Sequence, residues 1–168
     1  MSARSDVLAA LSAIFAAIQP GASFGYVYTP NAVKRVQFFP QNDVTLDSSL
    51  TTIYLIRVER ETHTLGPTSC SVDGVLETYV LMARRFEEAT ENPYLSEPVR
   101  CTTVDNLIDD AKEALINNPK LGIPGVVIDA LSQGIIVERD FYSAGWAAAE
   151  MRLGIQYRYT RPPEGIPR

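Results

Sequence analysis

The sequence predicts an α+β fold: a mixed, mainly antiparallel sheet with two helices packed on one face, a long hairpin and extended loops. Three observations predict it. Two segments repeat their apolar residues at helical spacing, and the first of these faces must pack on a sheet or on another subunit. Several segments are rich in β-branched and aromatic residues, one of them in strict alternation. The order is helix, strands, helix, strands, so helices do not alternate with strands as a doubly wound parallel sheet requires.

Val7, Leu8, Leu11, Ile14, Phe15 and Ile18 share one helical face. Ser5 is the expected N-cap and Gln19-Pro20-Gly21 the stop. Phe24 to Tyr28 reads as a short strand, Thr29-Pro30-Asn31 as a turn, and Val33 to Phe39 as a second short strand closed by Pro40. Residues 40–50 read as a polar loop. Residues 51–64 form a long strand, with Ile56, Val58 and Arg60 pointing one way and Arg57, Glu59 and Glu61 the other. Residues 66–74 make an extended tip, and residues 75–86 return as the partner of an antiparallel pair.

The stretch from Glu87 to Arg100 reads as irregular, with two prolines and the glutamates Glu87, Glu88, Glu91 and Glu97. Thr102 opens the second helix, with Asp105 three residues on as in a capping box. Val104, Leu107, Ile108, Ala111 and Leu115 are its apolar face, and Asn117-Asn118-Pro119 end it. Residues 121–133 read as a loop followed by a short apolar run, Val126 to Ile128, and Gly134 to Phe141 as a strand. The final strand is the clearest. Ala149, Met151, Leu153, Ile155, Tyr157 and Tyr159 lie on one face, and Glu150, Arg152, Gly154, Gln156, Arg158 and Thr160 on the other. Residues 161–168 contain three prolines and read as a flexible or partner-ordered arm beyond a single domain of residues 1–160.

Composition excludes several classes. At 168 residues and 46% apolar, the chain can bury a core without disulfide or metal staples. A formal charge of -5 argues against a general nucleic-acid binder. No apolar run approaches the ~20 residues of a membrane-spanning helix. Asp6 and the helical spacing around it argue for an amphipathic helix at the start of the chain and against a signal peptide. Cys70 and Cys101 form no CxxC pair and His63 is the only histidine, so no structural zinc is expected and the cysteines read as thiols in a reducing compartment.

No catalytic signature emerges. His63 with Ser69 or Ser71 and Asp73 would make a nominal triad, but the chain has no GxSxG elbow and these residues flank a loop, so a solvated strand-end histidine is the expectation. Gly21 and Gly25 lie between a helix end and a strand, the reverse of the P-loop order. Asp105, Asp109, Asp110 and Glu113 read as a solvated helix face, with Asp105 suited to the helix N-terminus. No catalytic, cofactor-binding or metal-binding residue is expected.

The arginines carry more information. Twelve of the fifteen basic residues are Arg. Arg57, Arg84, Arg152 and Arg158 fall within strands, mostly opposite apolar neighbours. If the strands adjoin, one sheet face is apolar and the other is studded with Arg and Glu. That face is either solvated, with cross-strand ion pairs, or a subunit interface with bidentate Arg–carboxylate pairs. Phe141, Tyr142 and Trp146 around Gly145 fit core or interface equally.

The sequence of elements is an opening helix, short strands, the long strand TTIYLIRVERETHT, a tip loop and the return strand VLETYVLMARRFEE. The helix TVDNLIDDAKEALINN and the final strand MRLGIQYRYTR follow. Over roughly residues 5–160 this order resembles the tail terminator proteins of long-tailed bacteriophages and the related tail-completion or neck proteins. The resemblance implies a structural virion protein of the tail or neck, assembled in the host cytoplasm, with neither enzymatic activity nor cofactor and no membrane association. It implies a homo-hexameric ring that ends the tail tube and joins the tail to the head. Its partners would be the tail tube protein and the head–tail connector proteins, with DNA passing through the lumen without sequence-specific binding. Arg57, Arg60, Arg84, Arg85, Arg152 and Arg158 are then candidates for subunit interface or lumen, and Arg161, Pro162, Pro163 and Ile166 for a partner-docking arm. The chain is longer than compact members, in residues 40–50, in residues 87–101 and in the arm. A head-completion or connector ring of twelvefold symmetry is the alternative within the structural class. A small ligand-binding or enzymatic α+β domain is the alternative outside it.

Overall fold

The computed structural model describes residues 2–21, 25–39, 51–68, 70–85, 93–138 and 146–160. Its elements run α1 (Ala3–Ala16), β1 (Ala32–Arg35), β2 (Thr52–Leu65), β3 (Ser71–Arg85), α2 (Pro93–Ile116), β4 (Val127–Glu138) and β5 (Trp146–Thr160). The strands form one sheet in the order β1-β2-β3-β5-β4, with β1 parallel to β2 and every other neighbour antiparallel. The expected α+β class, with a mixed, mainly antiparallel sheet, is what the structure shows.

Both helices lie on one face of this sheet. Val7, Leu8, Leu11, Phe15 and Ile18 beside α1, and Val104, Leu107, Ile108, Ala111 and Leu115 of α2, join one core with Tyr54, Ile56, Leu76, Val80, Met82 and alternate residues of β5. The helical periodicities and the β5 alternation therefore identify the principal core. Phe15 stacks on Tyr54 with ring centroids 5.3 Å apart, which fixes α1 over β2. A smaller cluster occupies the opposite face at one end: Ile53, Leu55, Leu81, Ala83, Ala148 and Trp146, with Ala32, Val36 and Phe39 against them. Trp146 is thus a core residue.

The helix starts differ from the sequence expectation. Ser2, not Ser5, caps α1, its Oγ accepting the Ser5 N–H at 3.3 Å. α2 begins at Pro93, nine residues before Thr102. Thr102 is not a cap, because its hydroxyl donates to the Pro98 carbonyl at 2.9 Å, one turn back inside the helix. Asp105 consequently sits in the helix interior. Glu87, Glu88 and Glu91 lie outside the described residues.

The strand limits also move. Residues 25–28 run as irregular chain where a strand was expected, and the short strand after the turn spans Ala32–Arg35 only. Phe24 and residues 40–50 lie outside the described residues. Asn31 secures the entry to β2: its Oδ1 accepts from Thr51 N at 3.0 Å and Thr52 N at 2.8 Å. β3 already starts at Ser71, so the tip is shorter than the expected loop. β4 starts at Val127 and absorbs part of a predicted loop through register shifts at Val127/Asp129 and Ser132/Gly134. Phe141, Tyr142 and the arm residues Arg161, Pro162, Pro163 and Ile166 lie outside the described residues.

One irregularity repositions side chains. β2 slips by one residue against β3 between Val58 and Arg60. Up to Val58 the helix-facing residues are even-numbered; beyond the bulge they are odd-numbered, because Glu61 pairs with Leu76 and His63 with Gly74. Arg60 therefore does not share a face with Ile56 and Val58 as simple alternation predicts. Glu61 and His63 turn to the helix side instead.

Candidate functional site

The sheet face away from the helices carries the arginine cluster. The alternation places Arg57 and Arg60 of β2, Asp73, Glu77 and Tyr79 of β3, and Glu150, Arg152 and Arg158 of β5 on that face. Tyr79 stands directly across from Arg152, and Asp73 across from Arg158. Arg152 Nη2 donates to Glu77 Oε2 at 3.1 Å. Arg158 is bidentate on Asp73, with Nε at 2.5 Å from Oδ1 and Nη2 at 2.9 Å from Oδ2. Arg57 lies against Phe39 and Tyr79, its guanidinium carbon 4.8 and 5.1 Å from the ring centroids, and its Nη2 is 3.1 Å from Glu59. Three of the strand arginines are thus matched by carboxylates of the same chain.

The pairing has electrostatic consequences. The Arg158 guanidinium holds the Asp73 carboxyl below the usual carboxylate range, and Asp73 in turn raises Arg158. A lowered carboxylate contributes stability above its unfolded pKa and loses it as pH falls through its folded value. Both groups are at the surface, so the effect is screened by salt.

The other candidates separate. Arg84 lies on the helix side of the sheet, where Nη1 donates to Thr52 Oγ1 at 2.6 Å and the guanidinium covers the Tyr28 ring at 4.1 Å. It closes the end of the core and does not belong to the cluster. Arg85 stands opposite Trp146 at the end of β3 and is exposed. Arg60 is exposed opposite Glu77. The same open face bears apolar side chains on the edge strand β4: Leu131 and Ile136, across from Gly154 and Glu150, are 55% and 61% exposed.

A second locus lies on the helix side, where the bulge has turned Glu61 and His63 inward. A cleft of about 710 Å³ is lined by Arg4, Glu61, His63, Tyr157 and Tyr159, with Ser2, Ala3 and Thr160 at its rim. Tyr157 Oη donates to Glu61 Oε1. Arg4 Nε lies 3.7 Å from Glu61 Oε2, and His63 Nε2 3.6 Å from Oε1. Tyr157 and Tyr159 stack at 6.2 Å, with the His63 ring edge-on to both. Burial and the adjacent Glu61 push the Tyr157 hydroxyl far above its ordinary pKa. Gly74 makes the room, since a Cβ there would stand 2.5 Å from Tyr157 Cζ.

The nominal triad is not assembled. Asp73 is on the opposite face with Arg158, and the Ser71 hydroxyl is taken up by Thr68. Ser69 lies outside the described residues. Among the described residues no group of three or more His, Cys, Asp or Glu side chains is placed to hold a metal. None of their helices is long and apolar enough to cross a membrane. Cys70 and Cys101 are exposed thiols.

Asp110 is the residue that sequence reasoning misplaced. It is 3% exposed, not on a solvated face, and its carboxylate accepts from Val27 N at 2.9 Å and Tyr28 N at 2.8 Å. It ties the irregular segment before β1 to α2. The signal was present in the spacing: Thr103, Leu107, Asp110 and Ala114 form one row at three- and four-residue steps, and all are buried.

No protein-family model matches the chain, and no curated protein matches it in sequence.

Proposed function

We propose that this protein is a structural virion subunit of the tail-terminator or neck class, acting by assembly and not by catalysis. Copies close into a homo-hexameric ring that ends a tail tube, meets the head connector and lets DNA pass through its lumen. The observation that carries the reading is the uneven covering of the sheet. Both helices pack on one face, while the other presents a charged ladder beside exposed Leu131 and Ile136. A face that combines apolar side chains with planar Arg–carboxylate pairs suits a subunit contact. A ring needs heterologous contacts that close by rotation. The in-chain pairing of Arg57, Arg152 and Arg158 also suits a surface that DNA passes without being gripped.

The solution mass tests this directly. Light scattering over a concentration series is expected to show a closed species near six times the 18.5 kDa chain mass, about 110 kDa for a closed ring. A monomer at all concentrations that also fails to bind purified tail tubes overturns the reading.

The ladder gives a second test. Charge reversal at Arg152 (Arg152→Glu) is expected to weaken assembly at least about tenfold, because a like charge then faces Glu77 at the contact. The same change should lower the melting temperature of the isolated subunit by only about 2–4 °C, the scale of an exposed ion pair. Intact assembly with a much larger fall in melting temperature would assign the ladder to the fold alone.

A further inference from the structure

The two edges of the sheet carry opposite charge. Among the described residues β1 pairs only with β2 and β4 only with β5, so each turns a row of backbone N–H and C=O groups outward. β4 contains neither lysine nor proline, the residues that commonly blunt such an edge. Both of its register shifts lie before Gly134, and residues 134–138 then follow β5 without interruption. On this regular run Ile136 and Glu138 are exposed and stand on the open face of the sheet, across from Glu150 and Ala148. On β1, Lys34 stands on the same face across from Leu55, and both Lys34 and Arg35 are exposed. Val36 extends this run, its N–H donating to the Ile56 carbonyl at 2.9 Å, and Phe38 just beyond it is 73% exposed.

We infer that β4 of one copy pairs with β1 of the next, residues 134–138 receiving residues 32–36, so that the sheet continues from subunit to subunit. The inference rests on the ring reading and specifies which edges close the ring. β1 runs with β2 and β5, and β4 runs against them. Rotation about a ring axis keeps the strands of every copy pointing the same way along it, so β4 meets the neighbouring β1 antiparallel. The register that sets Lys34 opposite Glu138 also sets Val36 opposite Ile136 on the same face. β1 is too short to hold two subunits by backbone bonds alone, so Val36, Phe38 and Ile136 supply the apolar part of the contact. The same charges disfavour pairing of like edges. An antiparallel β4–β4 contact centred on the strand would bring Asp129 close to the other copy's Glu138, and a β1–β1 contact would crowd Lys34 and Arg35 together.

Charge exchange in the full chain tests it, with assembly followed by light scattering, or by retention on purified tail tubes if closure needs them. Lys34→Glu and Glu138→Lys should each raise the concentration for half-assembly about tenfold, and the double variant should return to within about threefold of the wild type. A wild-type ring whose single variants assemble normally, or whose double variant is no better than the singles, overturns the edge pairing and leaves the ring reading standing. Disulfide trapping in a Cys70→Ser/Cys101→Ser background reads the contact directly. Lys34→Cys chains mixed with Glu138→Cys chains should give covalent dimers, and neither alone should. No dimer in the mixture, or a dimer from Glu138→Cys alone, overturns the proposal, the latter by placing β4 against β4. A wild type that stays monomeric and fails to bind tail tubes overturns the pairing and the ring together.

Discussion

Replacing Asp110 with alanine is expected to destabilise the fold by about 2 kcal/mol, because two partly buried amides lose their shared acceptor at once. The Val27 and Tyr28 N–H groups both end on this carboxylate. The segment they belong to has no strand ladder to fall back on, and it carries Tyr28, which supports Arg84 at the end of the core. The pH dependence follows from the environment of the group. Burial raises the Asp110 carboxyl above the ordinary carboxylate range, against the opposing pull of the two amide bonds. A raised carboxyl contributes stability that is fully present below its unfolded pKa and lost as pH rises through the folded value. Asp110→Asn keeps an acceptor oxygen without the charge. It should cost less than alanine and flatten the loss of stability between about pH 4 and pH 7. Urea midpoints for the two variants across that range decide the matter. An alanine variant within about 0.5 kcal/mol of the wild type would show that the segment is held by other contacts.

Gly74→Ala is expected to cost a further large amount, about 2–4 kcal/mol, by overpacking. The added Cβ would stand 2.5 Å from Cζ and 2.8 Å from Oη of Tyr157. That ring cannot yield cheaply, since it is buried, stacked on Tyr159 and bonded to Glu61. Shrinking the partner should restore the loss: the double variant Gly74→Ala/Tyr157→Leu should be less destabilised than the sum of its single changes. Thermal melts of the four chains complete the cycle. Strict additivity would mean that the two residues do not meet.

The sequence carried most of the architecture and little of the site. Long amphipathic faces were legible because burial is periodic: every helical residue chosen for the α2 core face is buried, as is the β5 row from Ala149 to Tyr157. What failed was local. A helix that contains Pro98 reads as irregular chain until tertiary packing outweighs the proline, which hid the first nine residues of α2. The bulge after Val58 is invisible to an alternating pattern because the residues around it, Arg57 to Glu61, are nearly all polar. With the bulge went the whole cleft, since only the frame shift turns Glu61 and His63 toward Tyr157. Asp110 escaped for a related reason: on a helix whose C-terminal half carries four acidic residues, one buried carboxylate looks like its solvated neighbours. The arginine face was half legible. Alternation correctly groups Arg57, Arg152 and Arg158, yet Arg84 has the opposite parity and closes the core instead.

The strand order sets a schedule for making the protein. β5 is later in sequence than the four other strands, yet it lies between β3 and β4 in the sheet. While the chain is being synthesised, β2 and β3 can zip as soon as both are out of the ribosome. The other edge of β3 must then wait for Thr160, some 75 residues after Arg85. At about 5–20 residues per second that edge is open for roughly 4–15 s, with Leu76, Val80 and Met82 uncovered beside it. Nascent chains are most vulnerable to joining one another in that interval. A chaperone that shields one β-strand edge would raise the yield more than one that assists the helices.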